Sequence, residues 1–545
     1  MTAKLWWQKA VVYQIYPRSF QDSDGDGVGD LRGIIARLDY LADLGIDAVW
    51  LSPIFPSPMA DFGYDIADYV GIDPLFGSLE DFDDLIGEAH GRGLRVILDF
   101  VPNHTSDRHA WFAESRSSRD NPRRDWYIWR DPAPDGGPPN NWLSEFGGSA
   151  WEHDPLTGQY FYHAFLASQP DLNWRNPQVQ EAMHDVLRFW FRRGVDGFRV
   201  DALWHLLKDD RFRDNPPNPD YEETQAPYRR LQPVYTTDLP EIHETIRGIR
   251  SIADEFPDRL LIGELYLPIE RLMAYYGRDL SGMHLPFNFA LLNTAWEAKN
   301  LAQLIGEYEA ALPTGGWPNW VLGNHDRPRI ASRIGRGQAR VAAMLLLSLR
   351  GTLTVYYGEE IGMLQVAIPQ EFVRDPFERN VPGLGLGRDG ARTPMQWDAA
   401  PGAGFSDATP WLPLGPDAAS ENVANQKAQG TSMLNLYRRL LRQRRETSAL
   451  SSGPYELITA IENVLLLVRR SSDEIVLVAL NLSELPAALR FADASLEGKV
   501  RVSTVGDREG EEVGNCIDLR GDEGLIVQLD PDCVLPPVLS EPLAA

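Results

Sequence analysis

Acidic side chains stand at or near the ends of four short apolar segments of this 545-residue chain. Asp99 lies in LRVILDFV, Asp201 in DGFRVDA, Glu264 in LLIGELY and Asp326 in NWVLGNHD. Carboxylates on either side of a glycosidic bond can hydrolyse an acetal, because one protonates the leaving oxygen and the other attacks or stabilises the anomeric carbon. Gathering such acids gains no stability, since buried like charges repel each other. If folding brings the four segments together, their acids predict glycoside chemistry.

The same segments carry cationic and imidazole side chains beside the acids. Arg199 stands two residues before Asp201, so on a strand both side chains face the same side. Its guanidinium would keep Asp201 ionised and oriented for attack. His104 follows the third apolar segment, and His325 directly precedes Asp326. If the apolar segments meet, two histidines and an arginine therefore join the four acids.

A second group of acids follows the first apolar segment, in the stretch DSDGDGVGD. Asp22, Asp24, Asp26, Val28 and Asp30 occupy the spacing of positions one, three, five, seven and nine of an EF-hand loop. The twelfth position is a glycine instead of a bidentate glutamate, so the EF-hand is incomplete. The four acids would repel each other strongly without a cation. The stretch predicts a structural divalent cation remote from the chemistry.

Eight apolar, β-branched runs alternate with segments of helical periodicity over the first two thirds of the chain. Near-continuous apolar runs are typical of parallel strands covered on both faces. Eight such strands alternating with helices predict a (β/α)8 barrel, whose active site lies at the carboxyl ends of the strands. The acids and histidines above would then meet on one rim. The runs begin at Ala10, Ala48, Leu94, Asp196, Leu260, His284, Asn319 and Leu353.

Long polar stretches interrupt this alternation, and the pattern changes near residue 451. Leu203–Ile242 is a polar, proline-rich insertion after the fourth run. Beyond residue 451, short strands with turns and no helices predict an antiparallel β-sandwich domain. The predicted organisation is a barrel of residues 1–103 and 174–450, an inserted domain of residues 104–173, an insertion of residues 365–397 after strand eight, and a C-terminal β domain of residues 451–545.

Composition and charge exclude several classes of partner. The chain has 52 Lys and Arg against 78 Asp and Glu, a formal net charge of −26. This acidity argues against binding to nucleic acid or to an anionic membrane surface. No apolar run is long enough to span a bilayer, no secretory leader is evident, and two cysteines provide no disulfide framework. We therefore expect a cytoplasmic protein that is a monomer or a homodimer.

Seven motifs resemble those of one enzyme family. DFVPNH, GFRVDA, GELY and VLGNHD, in this order, resemble the four signature regions of the α-amylase superfamily, glycoside hydrolase family 13. DFGYD at Asp61, QPDLN at Gln169 and RTPMQW at Arg392 resemble the α-glucosidase and oligo-1,6-glucosidase branch. The resemblance implies an exo-acting, retaining α-glucosidase of short α-glucosides, with transglucosylation as a side reaction. It also implies Ca²⁺ or Mg²⁺ in the acidic loop, as a structural ion, and no organic cofactor.

The resemblance assigns a role to individual positions. Asp201 matches the nucleophile, Glu264 the general acid/base, and Asp326 the third carboxylate that binds sugar hydroxyls and stabilises the transition state. Like-charge repulsion from Asp201 and Asp326 should raise the pKa of Glu264. Asp61 and Arg392 match a pair that grips the 4-hydroxyl of the terminal glucose and closes the pocket. The implied substrate-binding residues are Asp61, Tyr64, His104, Phe146, Phe165, Gln169, Arg199, Ala202, His325 and Arg392.

Ala202 bears on the preference for one linkage. In relatives, Val at this position accompanies α-1,6 linkages and Thr accompanies α-1,4 linkages, and alanine matches neither. A methyl group fills little of the pocket wall, and one or two methyl groups change discrimination by only about 1–3 kcal/mol. We therefore predict broad linkage tolerance. If the enzyme is strongly selective instead, the control lies in the Leu203–Ile242 insertion.

Two other functions compete with hydrolysis. Enzymes of the same branch, of the trehalose synthase or sucrose isomerase type, recapture the released sugar instead of admitting water, and no motif excludes that chemistry. Transporter-associated relatives keep the barrel as an interaction scaffold, but they carry a membrane helix and lack the catalytic acids. This chain has the acids and lacks such a helix, so a scaffold role is disfavoured.

Overall fold

The fold was analysed in a computed structural model that describes residues 5–492, 496–535 and 538–539. All eight predicted runs form strands of one parallel sheet, and the strands are numbered here in chain order. The sheet order is β10-β11-β1-β2-β3-β7-β8-β9. The predicted (β/α)8 barrel is confirmed. Its strands are β1 (Val11–Ile15), β2 (Ala48–Leu51), β3 (Arg95–Phe100), β7 (Gly197–Val200), β8 (Leu260–Leu265), β9 (Leu285–Asn288), β10 (Asn319–Val321) and β11 (Thr352–Tyr356).

The barrel has a seam between β9 and β10. The described residues form no backbone ladder between these two strands. The side chain of Asn319 bridges them instead: its Oδ1 accepts from the Asn288 N–H at 2.9 Å, and its Nδ2 donates to the Pro286 carbonyl at 2.6 Å. One buried amide thus provides the hydrogen bonds that a ladder would make.

Helices follow most of the barrel strands and cover the sheet. The predicted first helix is divided in two at Arg37, which leaves the helical conformation at φ −106° and ψ 3°. Several helices begin with side-chain caps, such as Ser78 before α3 and Asn176 followed by Pro177 before α5. No described helix combines the length and apolar composition needed to cross a membrane. The helices are α1 (Leu31–Ala36), α2 (Leu38–Leu44), α3 (Leu79–Gly91), α4 (Ala110–Ser117), α5 (Pro177–Arg192), α6 (Ile242–Asp254), α7 (Ile269–Met273), α8 (Ala290–Asn293), α9 (Ala298–Ala311), α10 (Ile330–Ser348), α11 (Pro376–Asn380), α12 (Val423–Ala428), α13 (Met433–Glu446) and α14 (Ser448–Ser452).

The segment between β3 and α5 forms a small unit on the barrel rim. It contains α4 and three antiparallel strands in the order β4-β6-β5, packed through Trp142, Trp151 and Tyr162. Its loop docks on the insertion after β7, because Asn141 exchanges hydrogen bonds with Asn215 at 2.8 Å. The two interruptions of the barrel therefore lie side by side. The three strands are β4 (Trp129–Arg130), β5 (Trp151–Asp154) and β6 (Gln159–Tyr162).

The C-terminal strands form two antiparallel sheets, in the orders β12-β13-β14-β19-β16-β17 and β18-β15-β20. Alternate residues of β13 divide between two cores: Leu465 and Leu467 join the barrel core, and Leu466 faces the core of the C-terminal unit. Cys516 and Cys533 are free thiols. The strands are β12 (Tyr455–Ile461), β13 (Val464–Arg470), β14 (Ile475–Asn481), β15 (Ala487–Phe491), β16 (Gly498–Ser503), β17 (Glu512–Val513), β18 (Cys516–Leu519), β19 (Gly524–Leu529) and β20 (Val538–Leu539).

Candidate active site

Arg199 lies at the centre of a buried cluster of acids on the carboxyl rim of the barrel. Its Nη1 lies 2.6 Å from Oδ1 of Asp99 and 2.6 Å from Oδ1 of Asp201, and its Nη2 lies 2.7 Å from Oε1 of Glu264. These side chains come from or directly follow β3, β7 and β8, whose carboxyl ends meet because the strands are parallel. The structure therefore brings together the acids that the sequence singled out.

Burial is the main cause of the raised pKa values in this cluster. It raises the pKa of Glu264; Arg199 opposes the rise, and the charge of Asp326 adds to it. The sequence had attributed the shift to like-charge repulsion, which acts here only as a secondary cause. Burial also raises the pKa of Asp201, and the charge of Glu264 reinforces it against Arg199. One guanidinium faces three carboxyl groups, so the cluster favours a protonated carboxyl group more than isolated acids would.

Asp326 is ionised, in contrast to that cluster. Its Oδ1 lies 2.9 Å from Nη2 of Arg392 and 3.2 Å from Nη1 of Arg388, and its Oδ2 lies 3.3 Å from Nε2 of His325. Burial would raise the pKa of Asp326, but His325, Arg388 and Arg392 outweigh it and hold that pKa well below its usual range. A carboxylate that stays ionised thus lies in the same pocket as a carboxyl group whose pKa is raised, and this separation of pKa values is what acid/base catalysis uses.

Both histidines of the site are neutral imidazoles near pH 7. Burial lowers the pKa of His325 to about 3 and that of His104 to about 4. Nδ1 of His325 accepts from Gln14 Nε2 at 2.7 Å, which leaves the proton on Nε2, 2.7 Å from the Tyr64 hydroxyl. That hydroxyl in turn donates to Asp99 at 3.0 Å. The chain of hydrogen bonds fixes the tautomer and connects β10 to β3.

The ion-pair partner of Asp61 differs from the one expected. The motif predicted a pair with Arg392, but Arg392 is held by Asp326 and by the His325 carbonyl. Arg388 takes the predicted place, with Nη2 2.7 Å from Oδ1 of Asp61. It stands four residues before Arg392, on the far side of a short 3₁₀ turn, so both guanidiniums reach Asp326. Sequence reasoning missed Arg388, although it is visible as the first arginine of RDGARTPMQW.

The side of the pocket near Asp61 is closed by polar and aromatic groups. Gln169 is fully buried, and its Nε2 lies 3.3 Å from Asp61 and 3.1 Å from Nε2 of His104. Phe165 packs edge-on against His104 with ring centroids 5.2 Å apart, and against Phe146 at 6.2 Å.

Two further ring contacts complete this wall. Tyr64 stacks on His325 with ring centroids 5.4 Å apart and an interplanar angle of 4°. Phe377 of α11 lies 5.2 Å from Phe146 and was not predicted, because nothing in the sequence of the 365–397 insertion indicates which of its residues faces the pocket.

Ala202 acts through its backbone as well as its methyl group. It adopts the left-handed conformation, φ 44° and ψ 37°, and is buried. This conformation directs its N–H to Oε2 of Glu264 at 2.8 Å. The sequence had identified Ala202 only as part of the pocket wall, since a positive φ at alanine has no sequence signal.

The acidic loop brings three of its four aspartates together. Asp22, Asp24 and Asp30 each offer a carboxylate oxygen within 4.8 Å of the others, and hard oxygen donors of this kind suit Ca²⁺ or Mg²⁺. Burial and the charge of Asp26 raise the pKa of Asp24, so repulsion in the loop is not fully compensated. Asp26 lies outside the group and accepts from the Val28 N–H at 2.7 Å. The residues fit a divalent ion with fewer side-chain ligands than the spacing suggested.

A buried lysine connects the rim segments below the site. Nζ of Lys208 contacts Oδ1 of Asn103 at 2.8 Å, the His205 carbonyl at 2.5 Å and the carboxylate of Asp171. Asp171 belongs to the QPDLN motif, so its ion pair ties the inserted unit to the end of β3 and to the segment after β7. No local sequence pattern predicts this role for Lys208.

Both the sequence and the fold of this chain are similar to those of known proteins. Residues 14–453 match the family described as "Alpha amylase, catalytic domain". The chain belongs to the α-amylase family. It is 45% identical over 523 residues to a probable α-glucosidase of Rhizobium meliloti, covering 92% of this chain and 95% of that protein. It is 40% identical over 520 residues to an oligo-1,6-glucosidase of Heyndrickxia coagulans, covering 88% and 92%.

Solved structures of other enzymes are also similar to this chain of the α-amylase family. A crystal structure of the α-glucosyl transfer enzyme XgtA has a TM-score of 0.91 at 42% identity and covers 97% of this chain and 100% of that one. Trehalulose synthase MutB from Pseudomonas mesoacidophila has a TM-score of 0.88 at 34% identity, with coverages of 97% and 100%. The predicted family and fold are therefore correct, and the chain is a glycoside hydrolase.

Proposed function

We propose that this protein is an exo-acting, retaining α-glucosidase, which hydrolyses terminal non-reducing α-glucosyl residues of disaccharides and short oligosaccharides. One observation carries the exo assignment. Arg388 joins Asp61, Asp326 and Asp375 by ion pairs of 2.7, 3.2 and 2.7 Å, and this charged cluster closes the pocket at one end. A closed end admits the terminus of a sugar chain and excludes its interior.

The cluster around Arg199 supplies the two carboxyl groups of a double displacement. Asp201 attacks the anomeric carbon and forms a glucosyl ester, while Glu264 gives its proton to the departing oxygen. Glu264 then takes a proton from water, which attacks the same carbon and releases glucose with the α configuration retained. Burial favours the protonated form that Glu264 needs in the first step.

Asp326 and the neutral histidines bind the sugar in this mechanism. The ionised carboxylate of Asp326 accepts hydrogen bonds from sugar hydroxyls, and its charge stabilises the oxocarbenium-like transition state. His104 and His325 donate hydrogen bonds without adding positive charge beside the developing cation. Tyr64, Phe146 and Phe165 enclose the ring.

Isomerisation is the second candidate function. The solved structures similar to this chain include trehalulose synthase and an isomaltulose synthase, the latter at a TM-score of 0.86 and 34% identity. An enzyme of that type would use the same two steps, with the released sugar in place of water. The relatives named α-glucosidase and oligo-1,6-glucosidase favour hydrolysis.

The acidic loop is proposed to hold a structural Ca²⁺ or Mg²⁺, with Asp22, Asp24 and Asp30 as carboxylate ligands and no organic cofactor elsewhere. The bound ion would offset the repulsion among these aspartates. The main-chain oxygen of Val28 is the fourth proposed ligand, by analogy with position seven of an EF-hand loop. A cytoplasmic location, a monomeric or homodimeric state and the domain boundaries given above remain predictions.

A panel of maltose, isomaltose, nigerose, trehalose and sucrose tests the function directly. Carbohydrate chromatography should show free glucose from more than one linkage, and proton NMR should show α-glucose before β-glucose. A new disaccharide as the main product would favour isomerisation instead. β-Glucose appearing first would exclude retention and with it the role of Asp201 as nucleophile.

A further inference from the structure

Arg327 follows the third carboxylate directly and occupies the rim next to the acid/base. Its guanidinium carbon lies 5.2 Å from the ring centroid of Tyr266, a residue that stands two positions after Glu264. Burial raises the pKa of Tyr266, the charge of Glu264 adds to this rise, and the charge of Arg327 opposes it. Arg327 and Glu264 therefore both lie near Tyr266.

The N–H donors of Arg327 are not engaged by a carboxylate. Arg199, Arg388 and Arg392 of the site each make ion pairs, whereas none of the ion pairs found among the described residues involves Arg327. The side chain is only partly exposed, and its nearest interactions are with Tyr266 and the charge of Asp326. A guanidinium with spare donors in a partly buried rim position is equipped to bind hydroxyl oxygens.

Aromatic rings from two other elements flank the same space. Tyr266 stacks on Phe289 at 4.5 Å with an interplanar angle of 5°, and Trp204 lies 5.6 Å from Tyr266. Tyr228, on the insertion after β7, is close enough for the charge of Arg327 to lower its pKa against the stronger effect of burial. Trp204 and Tyr228 both belong to the insertion after β7, which therefore lies close to Tyr266 and Arg327.

We propose that Arg327, flanked by Trp204, Tyr228 and Tyr266, binds the hydroxyl groups of the second sugar, the one that leaves in hydrolysis and enters in transglucosylation. The assignment rests on the proposed α-glucosidase function and adds to it a residue that selects the leaving group. The aromatic rings supply apolar faces for a sugar ring, and the guanidinium supplies donors for its hydroxyls. Arg327 thus contributes to binding of the second sugar and not to binding of the glucose whose anomeric carbon reacts.

Arg327→Met tests the proposal because it keeps the length of the side chain and removes its donors. Maltose carries a second sugar, whereas α-glucosyl fluoride has a single-atom leaving group that reaches no rim residue. We expect kcat/KM for maltose to fall by about 10- to 100-fold, the effect of losing hydrogen bonds to a charged group, and kcat/KM for α-glucosyl fluoride to change by less than about threefold. At high maltose concentration, the share of transfer products should also fall.

Two further variants separate the possible causes. Arg327→Lys keeps the charge beside Asp326 but loses the planar fork, so it should recover only part of the maltose activity. Arg247→Met on the exposed face of α6 is the matched control and should change neither substrate.

Three outcomes would count against the assignment. Equal losses on maltose and on α-glucosyl fluoride would show that Arg327 acts through Asp326, and no loss on maltose would show that it contacts no second sugar. Either result would refute the proposed role of Arg327 and would leave the proposed α-glucosidase function unaffected. A wild-type protein that releases glucose from neither substrate would remove the proposed function itself.

Discussion

The protonation state of the buried cluster of Asp99, Asp201 and Glu264 depends on individual side chains and their charges. Arg199 compensates one of three negative charges, and burial raises the pKa of each acid. Glu264 must be protonated to assist the leaving group, so activity is lost as the pH rises through its pKa. Because that pKa is raised from the ordinary 4.5, the basic limb of the pH profile should lie above the range of an exposed glutamate.

We predict that Glu264→Gln lowers kcat/KM for maltose by about 100- to 10,000-fold and abolishes the basic limb of the pH profile. The loss on α-glucosyl fluoride should be far smaller, since fluoride needs little protonation to leave. Asp201→Asn should inactivate the enzyme on both substrates. Steady-state kinetics from pH 4 to pH 9 measure these effects, and equal losses for Glu264→Gln on both substrates would contradict its role as the acid.

Ala202 sets a second prediction at this scale, because its φ of 44° is costly for a β-branched residue. Ala202→Val and Ala202→Thr should lower the apparent Tm through backbone strain of about 1–3 kcal/mol. They should also shift the ratio of isomaltose to maltose activity in opposite directions by roughly 10-fold. Ala202→Gly, which fits a positive φ, is the control for strain. An unchanged Tm in both β-branched variants would show that the backbone rearranges.

Sequence motifs identified the residue types of the site better than their partners. Asp201, Glu264 and Asp326 were recognisable because each lies at or shortly after the end of an apolar run, within a motif that resembles a family signature. The partner of Asp61 was not, because Arg388 stands four residues before the motif that begins at Arg392, and only the path of the 365–397 segment decides which arginine reaches Asp61. Buried networks such as that of Lys208 depend on chain segments far apart in sequence, so local patterns do not reveal them.

At the scale of secondary-structure elements, the acidic loop between β1 and α1 leads us to a prediction about thermal stability. Asp30 serves both the loop and the helix, since it accepts from the Gly33 N–H at 2.7 Å as the N-cap of α1. An ion that binds only the native state stabilises it by about 2.7 kcal/mol at 100 times its Kd. Chelation should therefore lower the apparent Tm, while activity at low temperature persists.

Asp24→Asn distinguishes the ion from the cap, because Asp24 belongs to the carboxylate group but does not cap the helix. Differential scanning fluorimetry of this variant should show a Tm that no longer responds to chelator. If the wild-type protein shows no response to chelator either, the loop holds no structural ion.

The sequence predicted all eight barrel strands because each is a nearly continuous apolar run, and its polar composition predicted an insertion after the third strand. It did not predict β4, β5 and β6. These strands are two to four residues long, and cross-strand aromatic contacts such as Trp151 with Tyr162 stabilise them more than local propensity does. The break of the first helix at Arg37 likewise has no marked sequence signal.

For the molecule as a whole, the C-terminal sheet and the barrel share a core. Leu465 and Leu467 pack into the same apolar cluster as α10, and the buried guanidinium of Arg469 on β13 donates to the Ser348 carbonyl at the end of α10 at 2.7 Å. Although the sequence divides the chain near residue 451, the shared core argues for joint unfolding. Differential scanning calorimetry should show one transition, and two resolved transitions would contradict the coupling.

The seam at Asn319 also bears on the spacing of two carboxyl groups of the site. β10 has a ladder on its β11 side only, and on its β9 side its hydrogen bonds come from a single amide. Asp326 follows β10 and Glu264 lies at the end of β8, so the seam lies on the shorter path around the barrel between these two carboxyl groups. Their separation thus depends on one side chain at a point where neighbouring barrel strands otherwise share a ladder. Asn319, remote from the substrate in sequence and in chemistry, is thereby a residue on which the geometry of the site depends.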